Sequence, residues 1–234
     1  MAKNLFEEFD GVSSKQWKQQ IQFELKGADY NDTVIWNSPE HIKVKPFYHY
    51  DEFQENYAPH KGNASFRICQ NIFVHDLDKS ISRANKSIDR GAESIRFTIQ
   101  DDKIDVTKLL ESLPLEKITV YFNLSFLSND FVKKIEGIAK EKKAFVFCNL
   151  DPIGQLSQDG NWFLTREKDN FETLNLLSNH IVNSSFLSID GSLYQNAGAN
   201  MVQQIAYSLS HANEYFNRIT TINKPIVFQL SVRT

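Results

Sequence analysis

The chain has 234 residues, 41% apolar and 24% charged, with 26 basic against 29 acidic side chains and a net charge of −3. This composition supports a packed core and excludes a disordered chain. The even charge balance excludes a global basic field that would gather nucleic acid or anionic lipid.

Cys69 and Cys148 both sit in apolar runs far apart in the chain, which excludes a disulfide scaffold and fits buried thiols in a reducing compartment. The first residues, MAKNLFEEFDG, hold no apolar export core, and nowhere is there a run of about 18 apolar residues. The expectation is a cytoplasmic protein with no membrane contact.

In chain order, residues 1–63 read as an arm and residues 64–234 as a folded domain. Ser13 or Ser14 caps a helix running through Lys15 to Leu25, with Trp17, Ile21 and Leu25 on one apolar stripe and Gly27 as its stop. Thr33–Trp36 follows, then a turn at Asn37-Ser38-Pro39. His41–Pro46 alternates like an edge strand, Pro46-Phe47-Tyr48 is extended, and residues 51–63 read as loop. The arm has too little apolar mass to fold alone, so its stripe needs a surface to lie on.

From residue 65 the pattern repeats. Strand-like runs occur at Phe66–Val74, Ser94–Ile99, Ile118–Asn123, Ala144–Leu150, Phe186–Asp190 and Ile226–Val232. Amphipathic segments lie between them at Asp76–Asp89, Val106–Leu113, Asn129–Lys142, Asn170–Val182 and Ala197–Ile219, with helical spacing at Phe131, Ile135, Ile138 and at Val202, Ile205, Leu209. The nearly continuous apolar strands predict a parallel sheet covered on both faces, built from right-handed βαβ units.

Two features favour a barrel over an open doubly wound sheet. No G-x-G-x-x-G or phosphate-binding glycine loop follows any strand. The strand ends instead carry Asn123 with Ser125, Asn149 with Asp151, and Asp190 with Ser192, as around a barrel mouth. The expected fold is therefore α/β, a TIM-type (β/α)8 barrel that is incomplete at about six βα units.

Residue chemistry adds little by itself. The six histidines (41, 49, 60, 75, 180 and 211) show no metal-ligand spacing, so no metal site is expected. His75 reads as a capping or surface residue, and the others as arm or polar helix faces. Cys69 and Cys148 read as mid-strand apolar residues rather than nucleophiles. Asp151 and Asp190 end successive strands and as a pair could divide acid and base work; capping of the strand–helix turns is the favoured reading. Lys133-Lys134 and Lys142-Lys143 read as solvated helix surface. The small residues Ala197-Gly198-Ala199 read as a helix opening where a ligand or strand approaches closely.

Three stretches together resemble the methylmalonyl-CoA mutase family, specifically its small, non-catalytic subunit. The first is Trp17 with Leu25-Lys-Gly-Ala-Asp29, Trp36 and Ile42-Lys-Val-Lys-Pro46-Phe47-Tyr48, similar to the family's arm and its V-K-P-L-Y signature. The second is Phe66–Gln70 with Ala84-Asn85 and Arg90–Ser94. The third is Asp190–Tyr207 with Glu214-Tyr215, similar to the G-Y-H-x-x-E-A-G-A block.

The resemblance implies a barrel, an enzyme family of isomerases of propionate metabolism that interconvert methylmalonyl-CoA and succinyl-CoA with adenosylcobalamin, and an arm that wraps a partner through Trp17, Leu25, Pro46, Phe47 and Tyr48. Aligning the third stretch places Leu193 where catalytic chains have a histidine and Asn196 where they have a glutamate. The family's catalytic-tyrosine segment should lie within residues 54–64, which show nothing like it. The cobalamin-binding domain and the last two barrel strands are also missing.

Leucine cannot donate a hydrogen bond or move a proton. The chain alone is thus expected to be inactive, to bind no cofactor itself, and to pair with a catalytic large subunit, or with its own copy in that subunit's absence. The alternatives are a stand-alone acyl-CoA-binding barrel enzyme using Asp151 and Asp190, and a piece of a longer chain. An open six-stranded sheet leaves its first and last strands to be covered.

Overall fold

The computed structural model describes residues 9–53, 66–181, 184–220 and 226–230. It divides into two compact units, Met1–Ala64 and Ser65–Thr234.

In the first unit, Ser13 caps helix α1 (Ser14–Glu24) through a reciprocal capping box with Gln16, and Lys26 and Gly27 take left-handed φ values of 49° and 98° where the helix ends. α1 buries no residue. Trp17 lies exposed with its ring centroid 5.8 Å from Phe47, while Leu25 and Phe47 are half-buried and Pro46 and Tyr48 exposed. The segment expected as Thr33–Trp36 begins instead as helix α2 (Tyr30–Val34), because Asp29 caps it through the amides of Asn31 and Asp32.

Strands β1 (Trp36–Asn37) and β2 (Lys43–Val44) then pair antiparallel, Trp36 opposite Val44. The expected loop opens with a 3-10 turn at Tyr50–Glu52. Its later part, including the segment where a catalytic tyrosine was sought, lies outside the described residues.

The second unit alternates strand and helix. Its elements are β3 (Cys69–Phe73), α3 (Leu77–Asp89), β4 (Ser94–Ile99), α4 (Val106–Glu111), β5 (Thr119–Leu124), α5 (Asn129–Lys142), β6 (Val146–Leu150), α6 (Pro152–Asp159), α7 (Glu167–His180), β7 (Ser185–Asp190), α8 (Ser192–Asn196), α9 (Met201–Arg218) and β8 (Val227–Gln229). All six strands are parallel and pair strictly in chain order, β3-β4-β5-β6-β7-β8. A doubly wound sheet reverses its strand order at a switch point. This sheet never does, so it is an incomplete TIM-type barrel of six curled strands.

The two faces of the sheet differ. Ile95, Phe97, Ile99, Val120, Phe122, Leu124, Val146, Cys148 and Leu150 are buried and belong to one core, with Leu109 of α4, Ile135 of α5 and Leu174 of α7. The alternate residues form the concave face. There Arg96, Thr98, Tyr121, Asn123 and Phe147 are only half-buried, and Cys69, Asn71 and Phe73 are exposed. Burial on both faces, expected from the continuous apolar runs, therefore holds for β7, where Ser185–Ile189 are all buried, and not along β3, β4 and β5. Arg96, Tyr121 and Phe147 make their own layer on the concave face: the guanidinium sits 5.8 Å from the Tyr121 centroid, and Tyr121 stacks on Phe147 at 5.1 Å.

Cys69 is one consequence, exposed on the concave face of an edge strand rather than buried. Cys148 points the other way, and burial, with the Glu136 charge behind it, pushes its thiol from 9.0 up to about 12. A native-state thiol titration with an aromatic disulfide reagent is thus expected to label Cys69 promptly and Cys148 only on unfolding. The unfolded chain loses the Cys148 proton near pH 9.0 and the folded chain only near pH 12. Stability is therefore present below pH 9 and falls as pH rises towards 12. Cys148→Ala should flatten that alkaline decline in pH-dependent urea melts; an unchanged slope would refute the assignment.

No helix among the described residues is long and apolar enough to cross a membrane.

Candidate functional site

The carboxyl ends of β5, β6 and β7 surround two adjoining cavities of about 430 and 380 Å³. The six polar strand-end residues singled out in the sequence all line them: Asn149, Asp151, Asp190 and Ser192 the first, and Asn123, Ser125, Asn149, Asp151 and Asp190 the second. Leu193 and Asn196 also line the first. The structure thus brings Asp151, Asp190, Leu193 and Asn196 around one space. Asn149 donates through Nδ2 to Asn123 Oδ1, and its own Oδ1 is buried with no hydrogen-bond partner, an acceptor available to a donor in the cavity.

Asp151 is committed elsewhere. Its Oδ1 accepts from Gly154 N at 2.8 Å, capping α6, and from the Tyr215 hydroxyl at 2.6 Å. His211 Nε2 lies 2.9 Å from the same oxygen, although out of line for a well-formed hydrogen bond. The network continues outward: Tyr194 OH is 3.0 Å from His211 Nδ1, and Tyr215 OH also accepts from Ile153 N at 3.1 Å. The arrangement consistent with these contacts has Nε2 protonated towards Asp151 and Nδ1 accepting from Tyr194.

Burial, then the Asp151 charge, raises the Tyr215 phenol well above its ordinary range and the Tyr194 phenol to a lesser degree. Neither phenol is tuned as a base. Gly154 completes the turn: a Cβ there would stand 2.3 Å from Asp151 Oδ2, so only glycine leaves the carboxylate in place. Asp190 Oδ1 accepts from Ser192 N at 2.9 Å. Both aspartates cap the turns that follow their strands.

Three expectations are corrected here. His211, read as a polar-face residue, is buried inside this network. The helix expected over Ala197–Ile219 is α9, but it opens only at Met201; Ala197–Asn200 form the turn that follows α8, in which Gly198 adopts φ 102°. A Cβ at Gly198 would meet nothing, so that glycine serves the turn and not a close approach. The close approach is at Gly191, where a Cβ would fall 2.9 Å from Ser208 Oγ and 3.0 Å from Gln229 O; the Gly191 N–H donates to Gln229 O at 2.7 Å and its carbonyl accepts from Gln204 Nε2 at 3.0 Å.

Finally, α9 is turned opposite to its apolar pattern. Its buried face is Gln204, Ser208, His211, Ala212 and Tyr215, while Val202, Ile205, Leu209 and Phe216 are exposed, Val202 at 67% and Leu209 at 58%.

Sequence reasoning missed Tyr194, Gln204, His211 and Tyr215. The available signal was the i, i+4, i+7, i+11 recurrence of Gln204, Ser208, His211 and Tyr215 on one helical face. It also missed α6, although Asp151-Pro152 is a cap followed by proline at the first helical position.

A family profile described as methylmalonyl-CoA mutase matches residues 99–223, from the end of β4 through α9 and beyond. The chain belongs to the methylmalonyl-CoA mutase family. A curated relative, the methylmalonyl-CoA mutase small subunit of Porphyromonas gingivalis (strain ATCC BAA-308 / W83), is 24% identical over 257 residues, covering 93% of this chain and 39% of the relative. The chain thus spans about two fifths of that relative's length. Among solved structures, a dipeptide epimerase from Methylococcus capsulatus complexed with Mg ion superposes with a TM-score of 0.32 and 11% identity, over 69% of this chain and 55% of that one; a likeness that loose carries no argument. The strand ends and cavity lining of this mutase-family chain from Asn123 to Asn196 all lie inside the matched stretch.

Proposed function

We propose that this chain is a small-subunit-like, non-catalytic component of an adenosylcobalamin-dependent methylmalonyl-CoA mutase, pairing in the cytoplasm with a catalytic large chain. The observation that carries the reading is the composition of the cavity wall. Leu193 and Asn196 line it at the positions where the resemblance puts a histidine and a glutamate, and neither side chain can shuttle a proton.

The rest of the site supports the same reading. Asp151, the candidate base of an independent acyl-CoA enzyme, is held by an amide and a phenol in a structural role, and Arg96, Tyr121 and Phe147 occupy the concave face where a ligand threaded along a barrel axis would run. His211, beside Asp151, is buried with both ring nitrogens turned to Tyr194 and Asp151, so this histidine is not presented to a corrin cobalt.

An assembly role is supported by exposed apolar surface. Val202, Ile205, Leu209 and Phe216 on α9 form a stripe that water covers poorly, and Trp17, Pro46 and Tyr48 are the exposed arm residues assigned to the partner.

The test is a thermal-shift titration joined to size-exclusion chromatography. Methylmalonyl-CoA and adenosylcobalamin should each leave the melting temperature unmoved. A catalytic large chain should co-elute with this one, and Val202→Asp with Leu209→Asp should abolish co-elution. A rise of several degrees with methylmalonyl-CoA alone would mean a live pocket and would overturn the non-catalytic reading.

A further inference from the structure

The two cavities at the strand ends carry a charge that a purely structural subunit does not use. Among the described residues no lysine, arginine or histidine lines either of them, whereas Asp151 and Asp190 line both and Asp159 lines the second. Asn149, Asp151 and Asp190 stand at the ends of β6 and β7, strands that are paired on both sides. The charge therefore belongs to the middle of the sheet and owes nothing to its outer strands.

Each aspartate has one oxygen engaged and one left over. Asp151 Oδ1 accepts from Gly154 N and the Tyr215 hydroxyl and meets His211, and Asp190 Oδ1 accepts from Ser192 N. Neither Oδ2 accepts a hydrogen bond from another described residue. Gly154 keeps Asp151 Oδ2 uncovered: a Cβ there would stand 2.3 Å from that oxygen, and Gly154 itself lines the first cavity. The Asp151 side chain accordingly remains 16% exposed.

Asn149 is the observation that points to a ligand. It lines both cavities yet is nine-tenths buried, at 9% exposure. It stands beside Asn123 in the β5–β6 register and donates to that residue's Oδ1, while its own buried Oδ1 accepts from nothing. Buried carbonyls are normally satisfied, so this one calls for a donor, as the two free carboxylate oxygens call for positive charge.

A primary ammonium supplies both, three N–H donors on one compact cation. Leu124, Phe163 and Leu193 on the wall of the first cavity offer apolar surface to its hydrocarbon stem. Carboxylates and phosphates would be repelled by the same wall.

We infer that the cavity at the ends of β5, β6 and β7 binds a small primary amine in its ammonium form, held by Asp151 Oδ2, Asp190 Oδ2 and Asn149 Oδ1. This inference is independent of the mutase-subunit reading, which is read out by co-elution with a large chain and not by amine binding.

The experiment titrates the full chain with butylammonium chloride at constant ionic strength, with sodium butyrate, 1-butanol and magnesium chloride as comparisons. Calorimetry should give millimolar or tighter binding of the amine and at least about tenfold weaker binding of butyrate and butanol. Asp190→Asn should weaken the amine by about tenfold. Its amide oxygen can still accept from Ser192 N, so the turn and the circular dichroism spectrum should be kept. Nuclear magnetic resonance should show the Asn149 side-chain amide signals moving as the amine is added.

Butanol binding as tightly as the amine would make this an apolar pocket with no need of charge, and would overturn the proposal. Binding that is unchanged in Asp190→Asn, or that leaves the Asn149 signals unmoved, would place the amine elsewhere and refute it. Magnesium displacing the amine at equal concentration would assign the carboxylates to a metal ion, with the same consequence. So would the absence of any signal change up to about 50 mM amine.

Discussion

Replacing Tyr215 by alanine is expected to cost about 3–5 kcal/mol of stability, the range for truncating a large aromatic side chain in a packed core, and for a unit of this size to lower the melting temperature by roughly 10 °C. Tyr215 is fully buried, with its ring 5.2 Å from His211 and 6.2 Å from Phe171. Its hydroxyl joins two elements at once, donating to Asp151 Oδ1 and accepting from Ile153 N.

Tyr215→Phe keeps the ring and removes only that bridge, leaving a buried amide and a carboxylate each one partner short, so its cost should be about 1–3 kcal/mol. Thermal and urea unfolding of both variants separates packing from polar satisfaction. Equal losses in the two would mean that the ring contributes nothing beyond its hydroxyl. No loss in either would mean that the network between α9 and the β6–α6 turn does not form.

Most of the scaffold was legible because its elements carry local signals. Ser94–Ile99 and Asn129–Lys142 coincide with β4 and α5 to the residue, since short apolar runs and a Ser128 cap mark them within the chain itself. The polar strand ends were legible for the same reason. What connects them was not: Tyr215 and Asp151 are 64 residues apart, and no spacing rule relates a helix residue to a strand end that far away.

α9 shows the failure most directly. Apolar periodicity normally points to the core, yet here Gln204, His211 and Tyr215 turn inward because each finds a partner there, in the Gly191 carbonyl, Tyr194 and Asp151 respectively. Buried polar groups that are hydrogen-bonded cost little, and the displaced apolar face, Val202, Ile205, Leu209 and Phe216, is left exposed. Cys69 misled in a similar way. A thiol in an apolar run is usually buried, but on the concave face of this strand Cys69 is exposed, with none of the described residues covering it.

Phe97→Ala and Phe122→Ala are each expected to cost about 3–5 kcal/mol, because both rings are fully buried on the helix-covered face of the sheet and lie 5.9 Å apart. Adjacent truncations share one cavity, so the double variant should fall short of the sum by about 0.5–1.5 kcal/mol. Tyr121→Ala and Phe147→Ala make the informative contrast. These rings stack at 5.1 Å on the concave face and are only half-buried, so each should cost nearer 1 kcal/mol, the stacking and partial burial it loses.

Urea unfolding of the four single variants and the double decides the matter. If the concave-face losses match those of Phe97 and Phe122, the open side of the sheet is covered in solution, and the half-barrel does not stand open as these strands leave it. If they stay small, one face of helices holds the six strands together, and the layer of Arg96, Tyr121 and Phe147 is free to meet whatever completes the barrel.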